Sequence, residues 1–247
     1  MRTKLITFCL VIFSVARAHA DTSYTKEGSP SSMVQALVES GQYSRAQEIV
    51  DSLDGDKSQM AILRGIIAKK QGRLEDAQSI FQSALQNKPE HVLLRYHLID
   101  IYLLQERPEK SRHLLKSMSS TEKQDFTYIQ LYIKSLMLDT PQRALDFIND
   151  SLRNGGHKHH EISQLHLYFI HTLKKLGLEQ ALLNYLEKIP PEQISEVLKR
   201  QELLNILSTL TTPRVVPVLE EISLKYPSHA GILKTLGYAY AHSGEHY

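Results

Sequence analysis

The stretch GRLEDAQSIFQSALQNKPEH, Gly72 to His91, sets the strongest limit on what this chain folds into. It reads as one helix with small residues at Ala77 and Ala84, an aromatic at Phe81 between them and a proline near its end. A lone amphipathic helix has no use for that order, because small residues give up apolar burial. A helix that must fit between copies of itself needs it. The pattern recurs along the chain. Stepping out from Ala77, small or modest residues fall at Ala46, Ala77, Ser111, Ala144, Ala181 and Val215, at intervals of 31, 34, 33, 37 and 34 residues. Gly41, Gly72 and Gly177 precede three of them in a turn, and Gly244 repeats the signal. Pro89 in NKPEH and Pro227 in KYPSH are 138 residues apart, about four such periods. Periods of this length mark stacked supersecondary units, each too small to bury its own apolar face.

The residue types give the packing. Gly65 and Ala77 are expected to be small because the two helices of one unit cross there at close range. Ala84 leaves room for the following helix, and Phe81 fills the space between. Pro89 donates no backbone hydrogen bond and disfavours helix at Lys88, so the second helix stops there. Gly72 supplies the freedom a tight helix–helix turn requires.

Only the N-terminus departs from this pattern. Arg2 and Lys4 precede an apolar run, LITFCLVIFSVA, and AHA at residues 18–20 has the small residues of a cleavage site. This is the form of a secretory signal peptide cleaved after Ala20, and the run is too short to span a membrane. Residues 21–30, DTSYTKEGSP, read as a flexible lead before a repeat domain over 31–247. Removing the leader takes away Arg2, Lys4 and Arg17, leaving 26 basic against 27 acidic residues. That balance offers no field for phosphates and argues against a nucleic-acid partner. Cys9 is the only cysteine and lies inside the leader, so the exported chain would be held by packing without disulfides, as suits a bacterial periplasm. No later apolar run is long enough for a membrane span.

With these residues in place, the chain resembles a tetratricopeptide-repeat (TPR) protein. Unit 58–91 carries Gly65, Gly72, Leu74, Ala77, Phe81, Ala84 and Pro89 at the family's spacing, and the last unit carries Leu236, Gly237, Tyr240 and Gly244 in register. The middle is degenerate: Glu106 and Ser111 stand where Gly and Ala are usual, and Tyr168 and Phe169 where Leu and Gly are usual, which leaves another α/α hairpin array open there. The resemblance implies an all-α, right-handed superhelical solenoid of about six helix-turn-helix hairpins. Gly65, Ala77, Phe81, Ala84 and Gly237 would be its packing residues. It further implies that first helices line a concave groove for a protein or peptide partner. The inward positions would be Gln59, Ile62, Ile66, Lys69 and Lys70, then Leu93, Tyr96, Asp100 and Leu103, then Phe126, Ile129 and Ile133. Ser163, His166, Ile170 and Lys174 would follow, and finally Lys234, Tyr238 and His242. The function implied is a non-catalytic periplasmic scaffold for a polypeptide of cell-envelope assembly or export.

Two other readings follow from particular residues. The chain stops at GEHY, inside a turn, and leaves the Leu233/Leu236/Tyr240 face without a second helix. This suggests a natural polypeptide that continues past Tyr247, in the manner of the N-terminal periplasmic TPR part of an outer-membrane exporter of lipoproteins or exopolysaccharide, and so an outer-membrane complex as partner. The loop GGHKHHE sets His157, His159 and His160 beside Glu161, which are suitable ligand types for zinc, copper or nickel in a metal-dependent enzyme. The spacing speaks against it, since the next histidine, His166, lies about 240° further round a helix from His160. No phosphate loop, dinucleotide turn or nucleophile elbow occurs, so the expectation is no enzyme and no cofactor. The acids Glu192, Glu220 and Glu221 and the basic runs KSRHLLK and LKRQE read as solvated helix faces.

Overall fold

The computed structural model describes residues 30–154, 156–190, 193, 197, 201–210, 215–228 and 230–243. The expected leader, its cleavage site and the lead up to residue 29 lie outside the described residues, as does Gly244; Pro30 already begins the first helix. Every described element is helical and none is a strand. The chain is an all-α array of stacked helix hairpins, about six TPR-like repeats along its length, and it divides into two compact units meeting in sequence at Leu138 and Asp139.

The first unit holds α1 (Pro30–Glu39), α2 (Tyr43–Ser52), α3 (Lys57–Lys70), α4 (Leu74–Asn87), α5 (Val92–Leu104), α6 (Pro108–Lys116) and α7 (Phe126–Asp139), with one 3-10 turn at Glu122–Gln124. Consecutive helices pair as hairpins, α1 with α2, α3 with α4 and α5 with α6, and first helices also touch one another, α1 on α3 and α3 on α5. Two layers result. The second unit holds α8 (Pro141–Asn154), α9 (His159–Lys175), α10 (Glu179–Lys188), α11 (Gln201–Leu207), α12 (Val215–Lys225) and α13 (Ala230–Ser243). Here α9, α11 and α13 contact in series, and α10 packs on α12, so the same layering holds.

The turn inside each regular hairpin is one motif repeated four times. Gly72 has φ +77°; its N–H donates to the Lys69 carbonyl at 3.0 Å, and the Arg73 N–H donates to the Ala68 carbonyl at 2.9 Å. This pair of bonds is the Schellman closure of a helix C-terminus. Gly41–Gln42 and Gly177–Leu178 repeat it, with φ +76° and +70° at the glycines. Glu106–Arg107 repeats it too, with φ +57° at Glu106, a left-handed backbone on a residue with a Cβ.

Five residues after each of these turn positions comes a buried residue of the second layer, followed four residues later by a second. The pairs are Ala46 and Val50, Ala77 and Phe81, Ser111 and Leu115, and Leu182 and Leu186, none more than 1% exposed. Ala144 with Ile148 in α8 and Val218 with Ile222 in α12 continue the series. Spacing of i, i+4 puts each pair on one stripe, so second-layer helices are amphipathic. First-layer helices are enclosed on more sides: α5, VLLRYHLIDIYLL, buries eight of its residues, which is why its apolar residues run around the whole helix. Two positions in the repeat register are corrected by this. Ala181 is exposed and Leu182 takes the buried place; Val215 opens α12, and the residue in register is Val218.

At the best repeat the lock is tight. A Cβ built on Gly65 would stand 2.2 Å from the Cζ of Phe81, so glycine is the residue that lets the ring lie there. Phe81 is fully buried with Ala77, Ala68 and Leu94, and its ring stacks on His97 of the next hairpin at 5.2 Å. Gly237 differs: among the described residues nothing lies within 4 Å of a Cβ placed on it, so in this structure it is not a packing residue.

Candidate functional site

The surface that best combines accessibility with arranged polar groups is the first layer of the first unit. Its helices are stitched together side to side. The Gln59 side-chain amide on α3 donates to Ser31 Oγ on α1 at 2.9 Å, and Lys69 Nζ on α3 reaches Asp100 Oδ2 on α5 at 3.1 Å. Lys134 on α7 continues the row, because its charge acts on Asp100 as well. Burial pushes the Asp100 carboxyl up, but the cations of Lys69 and Lys134 and the bond to Lys69 outweigh it and hold the group below the usual carboxylate range. Lys69 and Asp100 are 14% and 16% exposed, so the pair is screened less than a surface bridge would be. Two cations about one carboxylate leave this row with one net positive charge. Half-buried Ile62, Ile66 and Leu93 lie on the same helices, and Thr127 and Gln130 precede Lys134 on α7.

The anticipated groove residues divide sharply. Gln59, Lys69 and Asp100 are half-buried and joined to neighbouring helices, and Lys70 is exposed. Tyr96 is 7% exposed, so it packs inside the unit; burial first, then the carboxylates of Asp125 and Glu122, push its hydroxyl well above the usual tyrosine range. On α7 the expected inward residues Phe126, Ile129 and Ile133 are buried. The accessible register is one residue further on, at Thr127, Gln130 and Lys134. A rotation of 100° per residue makes that the difference between the core and the outer face.

In the second unit His166 is 5% exposed and internal. Its Nδ1 pairs with the Tyr185 hydroxyl at 2.7 Å and its Nε2 with Gln193 Oε1 at 2.8 Å. Gln193 Oε1 only accepts, so Nε2 carries the proton and Nδ1 accepts from Tyr185. Burial drives the His166 pKa down, with the bond to Gln193 opposing it, and the neutral ring satisfies both partners. Lys174 Nζ on α9 is bonded to Thr209 Oγ1 and to the Ile206 carbonyl at the end of α11. It is the counterpart of the Lys69 link, again from one first-layer helix to the next. Ser163 and Ile170 are buried. On α13, Lys234 and Tyr238 are exposed, with Lys234 Nζ 5.9 Å from the Tyr238 ring centroid. Of His242 only the backbone is described.

The histidine loop does not gather into a ligand set. His159 and His160 are exposed at the start of α9. Glu161 is turned back to the chain: its Oε2 accepts the Lys158 N–H at 2.8 Å and stands 3.7 Å from His157 Nδ1. A glutamate that receives the N-cap backbone N–H satisfies an otherwise orphaned donor. Among the described residues no three of His, Cys, Asp and Glu stand where they would share a metal ion. No described helix is long and apolar enough to cross a membrane.

Comparison with known proteins agrees with this geometry. Residues 68–133 match the family model described as Tetratricopeptide repeat. Among solved structures the chain is similar to MamA AMB-1, at 17% identity and TM-score 0.44, over 64% of this chain and 94% of that one. It is similar also to MamA MSR-1, at 14% identity and TM-score 0.45, over 68% and 92%. A mutant of MamA matches at 17% identity and TM-score 0.46, over 70% and 93%. No curated protein matches the chain. The matched segment contains both ends of the Lys69–Asp100 link, and it makes this part of the chain a TPR-fold module for protein interaction rather than catalysis.

Proposed function

We propose that the chain is an exported scaffold that holds a polypeptide partner of the cell envelope or export machinery against the first-layer helices of its first unit. The observation that carries the reading is the row Lys69–Asp100–Lys134, set across three successive first-layer helices beside half-buried Ile62, Ile66 and Leu93. Apolar shelves flanked by fixed polar groups suit an extended segment or one face of a helix. The positive excess of the row favours a partner segment with an acidic side chain or a terminal carboxylate. The leader-like N-terminus supports export, with the bacterial periplasm as the compartment.

Site-specific photocrosslinking in a bacterium that exports the full chain tests this. A crosslinker at Gln130 or Ile62 is expected to capture one defined polypeptide, while the same group at exposed Glu75 of α4 captures none. Equal capture from Glu75 would remove the groove assignment. Fractionation with N-terminal sequencing tests the compartment: a mature protein beginning at Asp21 is expected, and a cytoplasmic product retaining Met1 would end the export reading.

A further inference from the structure

We propose that the open face of α13 is a docking site for a helix of another protein, one carrying a small residue followed four positions later by phenylalanine or tyrosine. The observation is a contrast between two first-layer helices of the same register. On α3, Ala61, Gly65 and Ala68 form the face that α4 covers, with the Phe81 ring lying against Gly65 and Ala77 and Ala84 beside it. On α13, Leu233, Gly237 and Tyr240 repeat the spacing of four and three residues. Here Leu233 is 47% exposed, Ala241 is exposed, and a Cβ on Gly237 would meet nothing within 4 Å among the described residues. The rest of α13 is anchored. Ile232 and Thr235 are buried, Leu236 and Ala239 pack on the second unit's core, and the Tyr240 hydroxyl meets Glu220 of α12.

The chemistry of the occupant follows from what fills the matching notch. A glycine on a helix brings another backbone close and leaves a slot with the thickness of an aromatic ring. A strand is a poor occupant, because α13 is a helix whose backbone bonds are made internally and offers no edge for it. A second copy of this chain does not supply the helix either. Its own small-then-large stripes, Ala46 with Val50, Ala77 with Phe81 and Ala144 with Ile148, are all fully buried in their own stack. The occupant is therefore a helix of a different protein that has not spent its stripe.

The test uses the full chain and a labelled peptide with the sequence of residues 73–90, stapled between its exposed Gln78 and Gln82 positions so that it is helical. Fluorescence anisotropy is expected to show saturable binding, weakened by about tenfold or more by Gly237→Leu in the protein or by Phe81→Ala in the peptide. Gly237 faces open space, so Gly237→Leu is expected to leave the circular dichroism and Tm of the protein unchanged, which separates loss of docking from loss of fold. Binding that ignores Gly237→Leu, or the absence of saturable binding, overturns the proposal. So does self-association that Gly237→Leu abolishes, which would make a second copy the occupant.

Discussion

Gly65 lies directly beneath the ring of Phe81: an added Cβ would be 2.2 Å from Cζ and 2.4 Å from Cε1. The ring has nowhere to retreat, being fully buried and stacked on His97. Gly65→Ala should therefore destabilise the first unit by about 1–3 kcal/mol through overpacking, although alanine is the better helix former. Phe81→Leu removes the atoms that collide, so the double variant should lose less stability than the two single losses combined. Urea denaturation of the four proteins measures this. Strict additivity would mean that the two residues do not interlock.

Glu106 occupies the left-handed turn position that Gly41, Gly72 and Gly177 occupy in the other regular hairpins. A side chain in that conformation costs roughly 1–2 kcal/mol, partly offset by the entropy glycine loses on folding. Glu106 is exposed, so its replacement removes no core contact. Glu106→Gly should raise stability by about 1 kcal/mol, and Gly72→Ala should lower it by a similar amount. Thermal unfolding of both variants decides it, and a Glu106→Gly protein less stable than the parent would show that Glu106 has work at that turn.

These two cases show what could be read beforehand. The Gly65, Ala77 and Phe81 pattern was legible because close helix crossing demands small residues and leaves few alternatives. The Glu106 turn was found only as a departure from that pattern. Register inside a degenerate helix was harder, since QALLNYL offers Ala181 as the small residue while the helix turns Leu182 inward. Counting from the turn would have settled it: each left-handed turn residue precedes the buried position by five, and Gly177 plus that interval is Leu182. His166 and Tyr96 were misread as groove residues because nothing in local sequence marks a polar side chain whose bonds lie with distant residues, as Gln193 and Tyr185 do for His166. Lys69 and Asp100 carried only a periodic spacing in sequence, and their pairing across helices needed the fold.

Acid should loosen this protein through its buried histidines. His97 is pulled down to about 4, by burial first and then by the charge of Lys69; His171 is pulled to about 4 by burial and then Lys174. Both are thus neutral in the fold but bind a proton near the ordinary histidine value when unfolded. The unfolded state takes up more protons, so stability rises with pH across this window. The contribution is whole above about pH 6.5 and drains away as pH falls towards 4, by up to about 3 kcal/mol for each ring. Urea midpoints between pH 7 and 4 should fall accordingly, and His97→Phe, which keeps a ring against Phe81, should flatten the slope. The Asp100 carboxyl is held low, so its own contribution persists through this window and is lost only as pH falls further. An unchanged slope in His97→Phe would show that this ring is not the group titrating.

Neighbouring residues in α10 separate the structural register from the one suggested by residue size. If Ala181 were the small residue at the helix crossing, Ala181→Leu would force an overpacked seam and cost about 1–3 kcal/mol. The structure instead leaves Ala181 exposed and buries Leu182 completely against Leu167, Leu173 and Leu186. Ala181→Leu should then fall within about 0.5 kcal/mol of the parent, as substitutions on an open helix face do. Leu182→Ala should cost about 2–5 kcal/mol, because the atoms removed leave a cavity that an enclosed helix cannot close. Chemical denaturation of the two variants gives opposite rankings under the two registers. A silent Leu182→Ala with a damaging Ala181→Leu would mean that α10 is turned by one residue, with Tyr185 and its bond to His166 displaced along with it.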